Sequence, residues 1–358
     1  MTARQNVLVF TKGTAINPAT RYRFLQYLPY LESHGFNVET LPLFPDAYYG
    51  LPKIESKYKR IALKAGITIP SFIRRLADLP KVRKADLVVI ENQLFPYEQG
   101  FLETLLSVFK KKTIIEFDDA IYLTRFHRSK LLKTLKKIDR VIVGNSNLAS
   151  FASLSNKNVS VVPTVIDMDR YAKPDMSEKR VITDKSPLVI GWVGLPSTLP
   201  YLREIHGALK QIAAEFPVEL RIICSTSIEM EGVPTKFVQW SEQQEAIELT
   251  KLDVGVMPLN DDEWARGKCG AKLLQYMAAS RLAIASPVGV NSEIVDHMRD
   301  GLLASSEKDW YSLLKMVCEN PEMITSCGLA ARKKVEQEYS LQVWAPRVAA
   351  IYRDVING

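Results

Sequence analysis

Short apolar runs rich in Val, Ile and Leu alternate along this chain with longer stretches in which apolar residues return every three or four positions. The first pattern suits a buried strand and the second a helix against a core, so the alternation predicts βα units building a parallel sheet. Six such runs fall at 6–10, 37–43, 86–91, 113–117, 140–144 and 159–163, and four more at 188–193, 220–224, 253–257 and 282–286. Between the two groups, 167–187 carries Lys, Asp, Glu, Ser and two prolines with little apolar content, the composition of a linker. Two consecutive arrays predict an α/β fold: Rossmann-like parallel-sheet domains at 1–170 and 188–341, facing a cleft and joined by a linker at 171–187. The closing stretch, 342–358, reads as a helix that could pack on either domain. Internal repeats and low-complexity tracts are absent from the sequence.

A length of 358 residues, about twice the usual domain, agrees with that division. With 47% hydrophobic and 24% charged residues the chain has a globular composition, which excludes fibrous or disordered classes. No apolar run reaches the roughly 18 residues of a membrane span, and MTARQNVLVF lacks the apolar core of a signal peptide. Cys224, Cys269, Cys318 and Cys327 are too scattered for a disulfide framework or a zinc site, so a reducing, cytoplasmic setting is expected.

Charge is divided unevenly. Residues 1–170 hold 26 Lys and Arg against 15 Asp and Glu, a net of +11, while 171–358 hold 21 against 25, a net of −4. A basic half implies an anionic partner. Within it, 53–84 carries ten basic residues and only Glu55 and Asp78 as acids, interleaved with Ile61, Leu63, Ile67, Ile69, Phe72, Ile73 and Leu76. Basic and apolar faces on one helix fit an anionic bilayer surface. A second basic segment, 128–140, sets Leu131, Leu132, Leu135 and Ile138 against Lys130, Lys133, Lys136 and Lys137. For both, a solvated helix face over a core is the alternative; together with the basic half they favour a membrane surface. Nucleic acid is not expected, because aromatic residues do not interleave with the basic clusters as a base-stacking surface requires.

Candidate chemistry concentrates in the second array. RGKCGAKLLQYMAAS at 266–280 places Lys268, Lys272 and Gln275 on one helical stripe, opposite Leu273, Leu274, Met277 and Ala278. Cations at a helix N-terminus oppose its dipole, and a bound anion such as a pyrophosphate would relieve that conflict. IGWVGLPST at 190–198 offers Gly194 for a tight turn, with Ser197 and Thr198 to cap the next helix and contact phosphate oxygens. SPVGVNSE at 286–293 offers Gly289 for backbone access to a ligand. All three follow strands of one expected sheet, where open α/β folds bind ligands. In the first array, Asp118 and Asp119 end a strand ahead of His127. Paired carboxylates suit a metal or general base, and equally helix caps. Arg21 and Arg23 open the expected first helix, facing an anionic acceptor or solvent.

Over nearly its whole length the sequence resembles the family 4 glycosyltransferases, the retaining GT-B group. The resemblance runs through RYRFLQYLPYLESHGFNVETLPLF, EFDDAIY, VIVGNSNLASFA with VVPTVIDMDRY, IGWVGLPSTLPYL, GKCGAKLLQYMAASRLAIASPVGVNSEIV and the closing helix. It implies a nucleotide-sugar held by the second domain, with the diphosphate gripped by Lys268 and Lys272 and by the loop at 194–198. Trp240 and Ser241 would lie near the base. Gly289, Val290 and Asn291 would offer backbone N–H groups, with Glu263, Gln275 and Glu293 as further donor contacts. The closing helix would cross back to the first domain. The family's pair of glutamates eight positions apart is replaced here by Gly267 and Gln275, which leaves the sugar to the loop at 262–268, with Asp262, Glu263 or nothing in the first glutamate's place.

The reaction so implied transfers a sugar with retention to a hydroxyl of a glycan or lipid-linked acceptor, in surface polysaccharide or glycolipid synthesis at the inner membrane face. Lys268, Lys272, Arg266 and the helix dipole would stabilise the departing diphosphate without a metal or other cofactor. Asp118, Asp119 and His127 would position the acceptor, with Gly13, Arg21 and Arg23 binding it. The alternatives are an epimerase or phosphorylase of the same fold, a nucleic-acid-binding protein and a non-catalytic glycan-binding or nucleotide-binding homologue.

Overall fold

A computed structural model of the chain describes residues 4–51, 56–96, 98, 106, 108–124, 127–173 and 180–358, with backbone alone at 57, 60 and 127. It divides into two compact units, Met1–Thr164 with Trp344–Gly358, and Val165–Val343. The first holds a parallel sheet in the order β2-β1-β3-β4-β5-β6, from β1 Gln5–Thr11, β2 Phe36–Pro42, β3 Leu87–Glu91, β4 Lys112–Phe117, β5 Arg140–Val143 and β6 Val159–Val161. The second repeats the plan as β12-β11-β10-β7-β8-β9, from β7 Leu188–Val193, β8 Val218–Cys224, β9 Thr235–Gln239, β10 Val254–Met257, β11 Leu282–Ala285 and β12 Leu302–Leu303.

Among the described residues, the helices of the first unit are α1 Pro18–Arg23, α2 Leu28–Ser33, α3 Asp46–Tyr49, α4 Lys57–Asp78, α5 His127–Leu135 and α6 Ser146–Ser153. The second has α7 His206–Glu215, α8 Glu242–Thr250, α9 Glu263–Arg266, α10 Ala271–Ala278, α11 Asn291–Ile294, α12 Glu307–Glu319 and α13 Glu322–Glu338, and α14 Leu341–Asn357 closes the chain. Central strands such as LVVIE in β3 and LAIA in β11 are buried at every position, because helices cover both faces of each sheet. In the second unit Leu188, Ile190 and Trp192 of β7 and Leu220 and Ile222 of β8 join one apolar core with Leu209 and Ile212 of α7 and Leu314 and Val317 of α12. Each such side chain contributes about 1.5–3 kcal/mol by leaving water.

Ten strands stand at or within two residues of the expected runs. The other two, β9 and β12, were not expected: β9 is an exposed, largely polar edge strand, and β12 is two residues long. Both owe their form to the neighbour they pair with, β8 and β11 respectively.

Several expectations are corrected. Arg21 and Arg23 end α1 rather than open a helix, because Asn17 caps Ala19 N–H and Pro18 supplies the first turn. The segment 128–140 is not one basic surface helix. It stops at Leu135, and Lys130 is buried, donating to the Phe95 carbonyl at 2.5 Å and pairing with Glu98 at 2.8 Å. The stretch expected as a linker lies, in its described part, within the second unit; residues 174–179 fall outside the described residues. Arg180 pairs with Asp253 at 2.7 Å and donates to the Pro187 carbonyl at 2.5 Å, while Arg332 donates to the carbonyls of Tyr171 and Ala172. Within the first unit, Tyr352 of α14 is buried edge-on to Phe36, Arg353 donates to the His34 carbonyl at 2.7 Å, and Arg140 pairs with Asp354.

Candidate functional site

In the second sheet, β7 and β10 are neighbours whose connections leave in opposite directions, so their carboxyl ends form the crevice where open α/β sheets take ligands. α10 is fixed to that point by one side chain. The Tyr276 hydroxyl accepts the Val193 N–H of β7 at 3.0 Å and donates to the Val256 carbonyl of β10 at 3.3 Å. Burial pushes this phenol above its ordinary range.

The same anchoring brings Lys272 to the turn that follows β7. Its Nζ donates to Thr198 Oγ1 at 3.2 Å and stands 4.2 Å from the centroid of the buried Trp192 ring. Gly194 admits this approach, since a Cβ there would lie 2.8 Å from Lys272 Cε. The lysine is half-buried as a residue, but its ammonium end is desolvated, and that burial together with the nearby Lys268 charge pulls its pKa from 10.5 down to about 7. No carboxylate among the described residues forms an ion pair with it. A third turn closes on the same place: Gly289 has φ +56°, and a Cβ on it would lie 2.9 Å from the Arg266 carbonyl oxygen. A Cβ on Gly270 would lie 2.3 Å from Ile294 of α11. The three glycine-bearing segments at 194–198, 266–272 and 289–294 therefore meet.

Individual residues differ from expectation in ways that matter chemically. Lys268 precedes α10, which begins at Ala271 after Gly270 in a left-handed conformation, so Lys268, Lys272 and Gln275 do not form one helical stripe. Gln275 is buried along with Leu273, Leu274 and Met277, because α10 is enclosed by β10, β11 and α13. Lys268 Nζ stands 5.9 Å from the Trp264 ring. Arg266 is exposed and held by Asp261 through contacts of 2.7 and 3.1 Å, a pair absent from the sequence reading. Asp262 caps α9 by accepting the Ala265 N–H at 2.7 Å, and Glu263 is exposed. Neither Ser197 nor Thr198 caps the next helix: a 3-10 turn starts there without a side-chain cap, and Thr198 donates to the Leu195 carbonyl.

Asn291 is 1% exposed and spends its side chain on the Ser286 carbonyl and its N–H on the Val288 carbonyl, so that N–H is not available to a donor. The Val290 carbonyl accepts from Glu293 and Ile294, and Glu293 is exposed. Trp240 donates Nε1 to the buried Glu245 at 2.6 Å, and its N–H bonds the Cys224 carbonyl at the end of β8. Ser241 caps α8 by accepting from Gln244.

In the first unit, Arg23 and Arg21 point inward. Arg23 pairs with Glu116 at 2.6 Å and donates to the Val162 carbonyl, and Arg21 donates to the Ala15 carbonyl. Asp118 and Asp119 follow β4 and are half-buried. The side chain of His127 lies outside the described residues. Gly13 is packed under Tyr49, where a Cβ would lie 2.3 Å from the phenol oxygen. The sequence reading missed Glu91, which ends β3 at the first sheet's own switch point, between β1 and β3. One of its oxygens accepts from Lys12 N–H and Thr20 Oγ1, both at 2.7 Å. Burial, aided by the Asp118 charge, raises its pKa to about 7. A carboxylate ending an otherwise apolar run was the available signal.

Among the described residues no group of three or more His, Cys, Asp or Glu could hold a metal ion, and no helix is long and apolar enough to cross a membrane.

Residues 191–320, the part that contains the converging turns, match the family model for glycosyl transferases group 1. No curated protein matches the chain. Solved structures match it over both units. Sucrose-phosphate synthase of Thermosynechococcus elongatus has a TM-score of 0.69 at 14% identity, covering 99% of this chain and 100% of its own. A glycosyltransferase of Rickettsia africae has 0.71 at 10% identity over 99% of each chain. HepE of Anabaena, solved with UDP and glucose, has 0.66 at 13%, covering 98% of this chain and 100% of its own. With a group 1 domain across its second unit and the two-sheet GT-B fold throughout, the chain is a glycosyltransferase enzyme.

Proposed function

We propose that the second unit binds a nucleotide-sugar by its diphosphate at Lys272, Thr198 and Gly194, and that the enzyme transfers the sugar to a hydroxyl of a glycan or lipid-linked acceptor. One observation carries this reading: a desolvated lysine that lacks an anionic partner among the described residues stands at the switch point of a parallel sheet. Such a cation is costly to bury alone, and a dianion against it removes the cost. HepE, which shares the fold, is solved with UDP and with UDP-glucose.

In the reaction, negative charge grows on the β-phosphate as the glycosidic bond breaks. Lys272, Lys268 and the N–H groups opening α10 neutralise that charge in a water-poor place, the kind of electrostatic stabilisation worth several kcal/mol. This arrangement requires no metal. Transfer proceeds with retention: the acceptor hydroxyl attacks the anomeric carbon on the face the diphosphate leaves, and its proton passes to the leaving phosphate. Asp118, Asp119 and the turn at Gly13, at the carboxyl ends of the first sheet, serve the acceptor. Arg21 and Arg23 do not, since both are taken up inside their own unit. The product belongs to surface polysaccharide or glycolipid synthesis, with the enzyme peripheral on the anionic inner face of the cell membrane.

Thermal-shift measurements against UDP-, GDP-, ADP- and dTDP-sugars test the donor reading, since a ligand that binds only the folded state raises the melting temperature. One donor should stabilise the enzyme, and Lys272→Ala and Lys268→Ala should each abolish that shift while leaving the ligand-free melt in place. An unchanged shift in both variants refutes the placement of the diphosphate. Transfer should survive EDTA, and nuclear magnetic resonance of the product should show the donor's anomeric configuration.

A further inference from the structure

α4 turns two polar side chains and one aromatic ring inward: besides Ser71 and Arg75, Phe72 is half-buried and meets the Phe95 ring edge-on at 5.4 Å. Arg75, 2% exposed, donates to the Thr11 carbonyl at 2.7 Å and lies 4.7 Å above the Phe10 ring, Ser71 is buried, and Arg74 donates to the carbonyls of Pro42 and Leu43. The opposite stripe is apolar and faces out: Tyr58 is 84% exposed, Ile61 54%, Ile69 60%, Ile73 63% and Leu76 40%. The spacings of 3, 8, 4 and 3 residues keep these five side chains on one face of a helix about 33 Å long. Gly66 and Pro70 lie within α4 and both weaken its intrinsic helix propensity, so propensity does not account for the helix. A contiguous exposed apolar stripe marks a surface meant to be covered.

The flanking charge says by what. Lys59 and Lys64 on α4 are exposed, as are Arg83 and Lys84 in the turn after it, where Lys81 is paired with Glu39 and Asp78. Docking α4 against a second copy of itself would set these cations opposite one another, which disfavours a dimer. A nucleic acid would leave the isoleucines in water. An anionic lipid surface satisfies both features, with the apolar stripe entering the acyl boundary and the lysines meeting headgroups. We propose that α4 is the membrane-docking element of this enzyme, lying in the plane of an anionic leaflet through Tyr58, Ile61, Ile69, Ile73 and Leu76. The proposal rests on the reading that the acceptor is membrane-borne.

Co-sedimentation of the full chain with vesicles tests it. The chain should pellet with phosphatidylcholine vesicles containing phosphatidylglycerol, not with phosphatidylcholine alone, and less in high salt. Replacing Ile69→Glu and Ile73→Glu together should lower the partition coefficient about tenfold or more. The thermal shift with the donor should stay unchanged in that variant, which separates loss of docking from loss of fold and from failure of the donor reading. Equal binding to both vesicle types by the wild-type chain overturns the proposal whatever the variant does. So does undiminished vesicle binding by the folded variant, or a wild-type dimer that the variant dissolves.

Discussion

Lys272 is held by burial and a like charge in a state it leaves readily, with a pKa of about 7 against 10.5 ordinarily. In the free enzyme it loses its proton as pH rises through neutrality, while a bound diphosphate favours the charged form and raises the pKa again. Donor binding should therefore take up a proton. At about pH 8.5, calorimetry of UDP binding in buffers of different ionisation enthalpy should show close to one proton absorbed, and affinity should fall as pH rises from about 7.5 to 9. Lys272→Arg, permanently charged, should flatten both. The absence of proton uptake in the wild-type enzyme would exclude Lys272 as the phosphate ligand. Glu91 gives the first unit a slope of its own. Its folded pKa of about 7 lies above the ordinary carboxyl value of 4.5, so the stability it contributes is complete below the lower value and lost as pH rises through the upper. Glu91→Gln, which keeps the uncharged state, should remove that loss from melts recorded between about pH 5 and 8.

At the scale of elements, α10 is placed by close contact rather than by its own amphipathicity. Gly255 in β10 makes the room: a Cβ on it would lie 2.2–2.5 Å from three atoms of the Tyr276 ring. Gly255→Ala should cost about 1–3 kcal/mol in urea unfolding and weaken donor binding as well, because α10 carries Lys272 and must shift. A loss of stability with donor affinity intact would show that the site tolerates movement of α10. The strands of the two central sheets were legible because β-branched runs buried on both faces have few other solutions. β9 was not, since it is exposed and largely polar, nor was β12, whose two leucines are too short a run to read as a strand. The two arginines of α1 were visible as residues and misread as surface groups, since the sequence does not show that Glu116, 93 residues on, waits for Arg23.

For the whole molecule, the division into units implies separate responses to mutation. Tyr352, near the end of the chain, is buried in the first unit beside Phe36. Tyr352→Ala should destabilise by roughly 3 kcal/mol, as expected for loss of a large buried ring. Hydrogen exchange should quicken in β1 and β2 and remain unaltered in β7 and β10, whose partners all lie in the second unit. Quickening spread over both sheets would mean that the units unfold as one.

The sequence by itself determined the two βα arrays, the basic first half, the interleaved basic and apolar residues of 53–84 and the three glycine-bearing turns, because each is a local pattern read over a few residues. Only the tertiary structure decided which of those features act together. Strand order places the ends of β7 and β10 side by side, and that brings Lys272 to Thr198 and Trp192. It also buries Arg23 and Lys130 against partners, turns the stripe of α4 outward and reveals Glu91. Periodicity specifies which face of an element is apolar, but whether that face meets a core, a ligand or a membrane depends on neighbours distant in the chain.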